Sequence, residues 1–571
     1  MAARSPSRYW YSPNSPPTAA SSRSSKPPPC SPAEPRIGGS AVLDDSNDAL
    51  PTGQERCAMR NDTGSTAQAV ADVVVVGAGP VGLWLTAELR LRGVSVLVLE
   101  KATVRDPRSR AVGMQAGTLD TFATRGVAER FIERGMPVPT GHFGAAGTRL
   151  DFRRVGALHP FSLALSQFVT EQLLEERATS MGAEVRRGQE LISLTQDDEG
   201  VELIVRSEGR HVTLRTGWVV GCDGTRSAVR DAVGIGFPGS DTTLTGWLAD
   251  VVLEDRPEEP LMARNSAGVV ITAPMGNGLY RLAGISTATM RHGTGAPLTL
   301  EEAREYTRAV VGDDLGMHSP QWLSRYGNAT RQATAYRSGR VLLAGDAAHM
   351  FFPAGGQGMN LGIQDATDLG WKLAATVRGR ASARLLDSYD SERRPAAAAV
   401  MENTRAQVAL FCAETPEELA LRDAFSAALA QPETNLLWAR RVAGFDDPRY
   451  AVAAEADGSP AHPLAGTRLA GLALRSDTPT GPAPHALLHD GRTVLLDLDG
   501  EHTSLTHSDD LACHSATVDR ETAAEPWHDI TSVLIRPDAR IAWASTDRDP
   551  RRRAENVAAV LRGMSGHAVL V

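Results

Sequence analysis

Three glycines with the spacing G-x-G-x-x-G lie between a run of valines and a helical pattern. They are Gly77, Gly79 and Gly82, in the stretch VVVVGAGPVG. The first permits a tight turn, the second lets a pyrophosphate approach the backbone, and the third lets the helix pack closely on the strand. The helix N-terminus then faces the phosphates. Together with Pro80 inside the motif, these residues predict a dinucleotide site.

An acidic residue, Glu100, ends the second predicted strand, VSVLVLE, and Lys101 follows it. A carboxylate in this position bonds a ribose hydroxyl and repels a 2′-phosphate. A lone G-x-G-x-x-G is a weak signal, but the strand, the helix and the distal acid together make it specific. We place Glu100 and Lys101 in the predicted site. The motif alone does not separate NAD from FAD.

Two distant segments favour FAD. One is GCDGTRSAVR, which carries Asp223, Gly224 and Arg230, and the other is GRVLLAGDAAH, which carries Asp346. Both follow buried strands, so they would meet if one large sheet binds one long, extended ligand. FAD is such a ligand. Its adenosine would lie at Glu100, its pyrophosphate at the glycines and its ribityl chain at Asp346.

A glycine-dense stretch follows Asp346 and precedes a long helical pattern. It runs from Pro353 to Asn360 as PAGGQGMN and includes Gly356, Gly358 and Met359. Glycines let backbone N–H groups approach a flavin ring, and the positive end of the next helix would stabilise the anionic reduced flavin. His349 is a candidate general base, but we interpret it as a positioned histidine near the cofactor.

These three segments together resemble the single-component, or group A, FAD-dependent aromatic hydroxylases. The resemblance implies that Asp346 binds a ribityl oxygen and that the segment from Asp223 to Arg230 serves both FAD and NAD(P)H. SRAVGMQAGTLD also matches this family, which implies that Arg110 contacts FAD. Gln167 matches a glutamine that contacts the ribityl side. The alternative for Arg110 is a surface salt bridge.

A closer resemblance is to hydroxylases of aromatic polyketides, such as angucyclines, and to rifampicin monooxygenases. WLSRYGNATRQATAYRSGRVLLAGDAAH, LLDSYDSERRP and VLIRPDARIAWA carry it, and it covers roughly residues 70–571. It implies an FAD-dependent monooxygenase that uses NAD(P)H, with NADPH favoured, and dioxygen to hydroxylate a phenolic substrate through a flavin C4a-hydroperoxide. The cofactor carries this chemistry, so no catalytic side chain and no metal are assigned. The alternatives are antibiotic inactivation of the rifampicin type and a non-oxygenating FAD-dependent reductase.

The predicted fold class is α/β, with a Rossmann-like FAD-binding domain, an inserted and mostly antiparallel substrate sheet, and a C-terminal thioredoxin-like domain implied by the resemblance. Short strands are predicted at 184–187, 191–195, 201–206, 211–215 and 218–224, the first four as a small antiparallel sheet, and helices continue to about 455. Thr299 and Glu302 have capping-box spacing before a helix at about 300–312. The domain boundaries are 69–240 and 333–455 for the FAD-binding domain, 241–332 for the substrate sheet and 456–571 for the last domain.

Composition narrows the function classes. The 571 residues are 42% hydrophobic and carry a net charge of −9, which argues against nucleic-acid binding. Five widely spaced cysteines fit a reducing compartment, so we expect a cytoplasmic protein. The expected oligomeric state is a monomer or a homodimer. The chain lacks an apolar run of about 18 residues. Residues 1–68 are rich in Ser and Pro and are predicted to be disordered. Translation from Met59 and a targeting segment are the alternatives for this tail.

Overall fold

The computed structural model describes residues 69–276, 278–381, 383–452, 458–475, 483–499 and 508–565. The tail at residues 1–68, predicted to be disordered, lies outside the described residues. Within the described part the α/β class is confirmed, and none of the described helices is both long and apolar enough to cross a membrane.

The first part of the chain alternates strands and helices. Its strands are Ala69–Val76 (β1), Val96–Glu100 (β2), Gly113–Met114 (β3), Met136–Val138 (β4), Thr140–Gly141 (β5), Leu150–Asp151 (β6), Ser162–Ala164 (β7), Glu184–Arg187 (β8), Gln189–Gln196 (β9), Val201–Ser207 (β10), Arg210–Gly221 (β11) and Gly239–Ser240 (β12). Its helices are Pro80–Leu91 (α1), Ala116–Ala123 (α2), Ala128–Ile132 (α3), Gln167–Ser180 (α4) and Ala228–Ala232 (α5).

The remaining strands are Thr245–Val252 (β13), Met262–Asn265 (β14), Gly268–Gly276 (β15), Leu279–Ser286 (β16), His318–Gly327 (β17), Thr330–Gln332 (β18), Arg337–Ser338 (β19), Val341–Leu343 (β20), His349–Met350 (β21), Thr493–Asp497 (β22), Leu511–Ser515 (β23), Ser532–Ile535 (β24) and Ile541–Ser545 (β25). The remaining helices are Leu300–Val311 (α6), Gly358–Val377 (α7), Ala383–Phe411 (α8), Pro416–Leu429 (α9), Pro432–Ala443 (α10) and Pro550–Ser565 (α11).

The largest sheet has a parallel centre, in the order β20, β11, β1, β2 and β8. Val73, Val74 and Val75 of β1 are wholly buried, as expected for a parallel strand covered on both faces. Helices α1 and α7 pack against each other beside this sheet. Because the carboxyl ends of parallel strands share one edge, the loops after β1, β11 and β20 converge there.

Two boundaries differ from the sequence-based prediction. The strands expected at 211–215 and 218–224 form one strand, β11, because Thr216 and Trp218 stay in register with β1 across Gly217. The antiparallel strands β9 and β10 therefore extend the edge of the parallel sheet and form no separate sheet. The helical region ends at Ala443, earlier than about 455, since Gly444 has a φ of +81°.

A second, antiparallel sheet has the order β14, β15, β16, β13 and β17. One face packs under α6 through Trp247, Val251 and Leu282. The helix begins with the predicted capping box, in which Thr299 and Glu302 bond reciprocally. The alternate residues of β13 and β16, such as Leu248 and Ala283, face the other way and line a cavity.

The C-terminal part forms a sheet in the order β23, β22, β24 and β25, followed by α11. Strands β22 and β23 are parallel and the other pairs are antiparallel. This module docks through Arg536, whose guanidinium bonds to Asp368 at 2.7 Å and Glu392 at 2.8 Å. The ammonium of Lys372 bonds to the same two carboxylates, at 2.9 and 2.5 Å. The two modules therefore share a buried cluster of ion pairs.

Candidate functional site

A cavity of about 1450 Å³ extends from the carboxyl edge of the parallel sheet to the free face of the antiparallel sheet. Its glycine-lined end is formed by the loop after β1, Asp346 and residues 353–359. Its sheet end is formed by β13, β15, β16 and β17 with Phe352 and Phe411. The predicted site residues on its wall are Gly77, Gly79, Pro80, Glu100, Lys101, Arg110, Gln167, Asp223, Gly224, Asp346, Pro353, Gly356, Gly358 and Met359. Gly82, Arg230 and Asn360 do not line it.

The loop after β1 is shaped by its glycines. Gly77 has a φ of +107°, and a Cβ there would lie 2.3 Å from the carbonyl oxygen of Cys222. A Cβ on Gly82 would lie 2.1 Å from the carbonyl oxygen of Gly77, so this glycine packs α1 onto the loop. A Cβ on Gly79 would meet no atom within 4 Å. Gly79 therefore leaves open space at the uncapped N-terminus of α1, where a phosphate fits.

The Glu100 carboxylate holds this loop at the end of β2. It accepts hydrogen bonds from the backbone N–H of Ala78 and of Ala102, both at 2.8 Å. A carboxylate accepts more than two hydrogen bonds, so it keeps capacity for a ligand hydroxyl. Glu100 therefore orients the glycine loop as well as facing the cavity. Lys101 is exposed beside it.

Asp223 and Arg230 both stabilise the loop after β11. The Asp223 carboxylate accepts hydrogen bonds from the Ser227 hydroxyl at 2.6 Å and from the Val229 N–H at 3.1 Å. The buried Arg230 donates to the carbonyls of Thr225 and Ala347, both at 3.2 Å. Arg230 thus ties this loop to the one that carries Asp346. Arg230 does not itself line the cavity.

Asp346 projects its side chain into the cavity. Desolvation by the surrounding protein raises the pKa of its carboxyl, and the charges of His349 and Arg110 act in the opposite direction. Arg110 is exposed, and its guanidinium has no carboxylate within 4.0 Å among the described residues, which counts against the salt-bridge alternative. Both side chains are available to a ligand. Gln167, at the start of α4, accepts from the Ala111 N–H at 3.0 Å and donates to Glu171 at 2.7 Å.

Backbone forms the wall from Pro353 to Met359. Gly355 and Gly356 have φ values of +68° and +63°, a region that favours glycine. Helix α7 begins at Gly358 without a side-chain cap, and Gly358 and Met359 line the cavity, so the first turn of the helix has N–H groups that are free to bind a ligand there. Asn360 instead fixes the stretch from behind: its amide donates to the Gly356 carbonyl at 2.7 Å and accepts from the Gln115 N–H at 2.8 Å.

His349 lies behind the cavity wall and is fully buried. Its Nε2 bonds to Asp365 at 2.7 Å, and Asp365 accepts from Arg393 at 2.8 Å. Arg393 in turn donates to the Tyr450 hydroxyl at 3.0 Å. His349 is therefore held in a buried hydrogen-bond network and does not face the cavity. This is the arrangement expected of a positioned histidine.

The sheet end of the cavity is apolar, with one buried ion pair in its wall. Leu248, Val269, Ile271 and Ile285 contribute aliphatic surface. The Arg281 guanidinium pairs with Asp250 through two bonds of 2.7 Å.

Sequence analysis did not identify Arg281 as a site residue. The Arg281 guanidinium also donates to the backbone carbonyls of Ser109 and Arg110, the latter at 3.1 Å. It therefore connects the antiparallel sheet to the segment that carries Arg110. The sequence feature that could have identified Arg281 is a charged residue within the predicted strand GLYRLAGIST.

The glycine-lined end fits FAD on three observations: the open space at Gly79, the available carboxylate of Asp346 and the uncapped N-terminus of α7. All three line the same cavity, as one extended ligand requires.

Comparison with known proteins agrees with this assignment. Residues 70–404 match the FAD binding domain family, and residues 462–568 match the family of aromatic-ring hydroxylase C-terminal domains. The chain belongs to the FAD-dependent aromatic-ring hydroxylases, and it is an FAD-dependent monooxygenase.

Individual relatives come from antibiotic chemistry. The chain is 41% identical to rifampicin monooxygenase of Streptomyces venezuelae over 84% of this chain and 96% of the relative. The solved structure of OxyS, an anhydrotetracycline hydroxylase from Streptomyces rimosus, matches with 36% identity and a TM-score of 0.77, covering 87% of this chain and 100% of that chain. CabE, an aromatic hydroxylase from angucycline biosynthesis, matches with 37% identity and a TM-score of 0.76 over the same shares. The predicted resemblance to both groups is confirmed.

Proposed function

We propose that this chain uses NAD(P)H, with NADPH favoured, and dioxygen to hydroxylate a phenolic aromatic substrate of the polyketide type. The observation that carries the proposal is the single cavity, which joins a glycine-lined end that fits FAD to an apolar end that fits fused aromatic rings. Such cavities are mostly apolar with a few placed polar groups.

The glycine-lined end would hold the cofactor in an extended form. Glu100 and Lys101 would bind the adenosine, and Gly77, Gly79, Pro80 and the N-terminus of α1 would bind the pyrophosphate. Asp346 and Gln167 would bind the ribityl chain, and Arg110 would contact the cofactor beside them. The backbone of Pro353, Gly356, Gly358 and Met359 would face the flavin ring. Asp223 and Gly224 would border the site, while Gly82, Arg230 and Asn360 would support it from behind.

FAD, when bound, would supply the oxygen chemistry, by the flavin C4a-hydroperoxide route that the family resemblance implies. The protein's own contribution is positioning and exclusion of water. The aliphatic side chains of β13, β15 and β16 would orient the aromatic ring and keep water away. The first N–H groups of α7 would stabilise negative charge on the reduced ring.

The proposed domains follow the sequence boundaries: 69–240 with 333–455 for FAD, 241–332 for the substrate and 456–571 for a thioredoxin-like module. The strand order β23, β22, β24, β25, with β22 and β23 parallel, supports the last proposal. One dinucleotide fingerprint occurs in the sequence, so NAD(P)H would bind transiently, without a nucleotide domain of its own.

The decisive experiment measures NADPH-dependent oxygen uptake by the FAD-loaded chain, with and without an aromatic polyketide phenol. We expect uptake to rise with the phenol and mass spectrometry to detect a product heavier by one oxygen atom. A panel of polyketide phenols that yields no oxygenated product would refute the proposal. Flavin reduction without a substrate-derived product would favour the reductase alternative.

A second candidate, inactivation of a rifampicin-type antibiotic, is supported by the 41% identity to rifampicin monooxygenase. The same assay with rifampicin as the substrate separates the two. Oxygenated rifampicin, with no turnover of smaller polyketide phenols, would favour inactivation over biosynthetic hydroxylation.

A further inference from the structure

One hairpin brings a histidine and an arginine to the cavity wall. His142 directly follows β5, and Arg149 directly precedes β6. The Arg149 guanidinium donates to the Thr140 hydroxyl at 3.2 Å, and no carboxylate of the described residues lies within 4.0 Å of it. Arg149 is therefore a cation without a counter-ion from the described protein, at the edge of a ligand cavity.

His142 belongs to a row of aromatic rings at the sheet end. Its ring meets the Phe411 ring edge-on at 5.6 Å, Phe411 lies 6.3 Å from Phe352, and Phe352 lies 5.4 Å from Tyr326, all between ring centroids. Phe352 precedes the glycine-rich stretch, and Tyr326 lies on β17. This row therefore connects His142, through Phe411, to Phe352 at the junction of the two ends, where an aromatic ring must lie to be hydroxylated.

The state of the His142 imidazole is set by its surroundings. Burial, and secondarily the charge of Arg149, lowers its pKa to about 4. The ring is thus neutral at physiological pH, with one nitrogen donor and one nitrogen acceptor. Its Nδ1 is buried without a hydrogen-bond partner among the described residues. A buried polar atom of this kind costs free energy until a partner satisfies it.

The cavity wall carries other charged side chains besides Arg149. Two other arginines line the sheet end, but Asp250 neutralises Arg281 and Glu302 neutralises Arg325. The acids on the cavity wall are Glu100, Asp106, Glu171, Glu190, Asp223 and Asp346, and none of them lies within 4.0 Å of the Arg149 guanidinium. Arg149 is exposed and, unlike Arg281 and Arg325, has no carboxylate of the described residues within 4.0 Å of its guanidinium.

We propose that Arg149 and His142 together recognise an acidic phenolic or enolic hydroxyl of the substrate and hold it as the oxyanion. The O–H bond breaks, the proton passes to solvent, and the electron pair stays on oxygen, which pairs with Arg149 and accepts an N–H bond from the neutral His142. The charge delocalises into the ring and makes it more electron-rich. This inference rests on the proposed function, because it names the substrate group that the same cavity selects.

The test uses the FAD-loaded chain and alizarin, a hydroxyanthraquinone whose neutral and ionised forms have different colours. A cation at close range lowers the pKa of an acid by about 1–3 units, so bound alizarin is expected to ionise at least tenfold more readily than free alizarin. R149Q should return its pKa to near the free value, and R149K should retain the shift. R154Q is the matched control, because Arg154 is an exposed arginine of the same segment that does not line the cavity.

The histidine has its own readout. H142F keeps an aromatic ring against Phe411 but removes the N–H donor, so alizarin should bind about tenfold more weakly. The visible absorbance of bound FAD should stay unchanged in each variant, which shows that the fold is intact. An alizarin methylated on its acidic hydroxyl should bind the wild type and R149Q equally.

Three outcomes overturn the inference: no binding of alizarin to the wild type, binding in the neutral form, or the same pKa in R149Q and R154Q. The proposed function fails separately. NADPH-dependent oxygen uptake with a phenol but without the alizarin shift refutes only this inference. The shift without any NADPH oxidation, across the panel of polyketide phenols, refutes only the monooxygenase proposal.

Discussion

The two ends of the cavity differ in the groups that form their walls. At the glycine-lined end the wall includes the backbone of the loop after β1 and of residues 353–359, with carboxylates at Glu100 and Asp346. At the sheet end the wall is side chains on antiparallel strands, closed by rings such as Phe411. Backbone recognition needs particular glycines at particular positions. A side-chain wall needs only a shape, which many sequences provide.

This difference bears on which end of the cavity can change in sequence and which cannot. A cofactor that does not change can be bound by a fixed loop such as the one after β1, whereas a change of substrate requires a wall that can change. Arg281 is the exception, because it lies in the wall of the sheet end and bonds to the carbonyl of Arg110. The four predictions below test how independent the two ends are.

Arg281 should be the most sensitive position. Arg281→Met leaves the buried Asp250 carboxylate uncompensated, and breaking such a pair costs about 3–5 kcal/mol of folding free energy. The FAD affinity should fall as well, since the segment that carries Arg110 loses its anchor. Chemical denaturation and flavin titration measure the two effects. The double variant Arg281→Met/Asp250→Leu should recover most of the stability, and a single variant as stable as the wild type would contradict the prediction.

Two glycines of the same loop should separate folding from binding. Gly82→Ala places a Cβ 2.1 Å from the Gly77 carbonyl oxygen, so overpacking should destabilise the apoprotein by about 3 kcal/mol. Gly79→Ala meets no atom within 4 Å and should change stability by only about 0.5 kcal/mol, yet its methyl group occupies the phosphate space. Thermal unfolding of apoprotein and the absorbance of bound flavin distinguish them. Equal flavin occupancy in Gly79→Ala and the wild type would argue against phosphate binding there.

Asp346→Asn should weaken FAD binding and strengthen the apoprotein. A charge-assisted bond to the ribityl chain is worth about 1.5–3 kcal/mol, which corresponds to roughly a 10- to 150-fold loss of affinity. The native pKa of Asp346 is raised, so its contribution to stability is present below the unfolded pKa and is lost as pH rises through the native pKa. The asparagine variant should therefore become progressively more stable than the wild type as pH rises. Denaturation of both apoproteins across pH checks the sign, and an opposite trend would refute it.

Tyr326→Phe should have the smallest effect. The Tyr326 hydroxyl lies 3.4 Å from the Gly284 carbonyl oxygen, at the limit of a hydrogen bond, and phenylalanine keeps the ring contact with Phe352. We expect a change of less than about 1 kcal/mol in unfolding free energy and unchanged FAD affinity. A large loss of FAD in this variant would show that the two ends are coupled beyond Arg281.

The sequence predicts the glycine-lined end well because its signals are local. β1, α1 and β2 follow one another around the motif. The sheet end has no such signal. His142 and Phe411 meet across the fold, and nothing in the sequence between them marks the contact. The sequence predicts two strands in place of β11, because a glycine inside a buried strand is typical of a break between strands.

The ion-pair cluster at Arg536 has a consequence for how this chain can be recombined with its relatives. Exchange of the C-terminal module alone would bring in a new residue opposite Asp368 and Glu392. Unless that residue is also an arginine, two buried carboxylates would have only Lys372 to neutralise them. In that case a functional chimera needs the facing surfaces of α7 and α8 from the same relative as the module. The segment to be exchanged is then larger than the C-terminal domain.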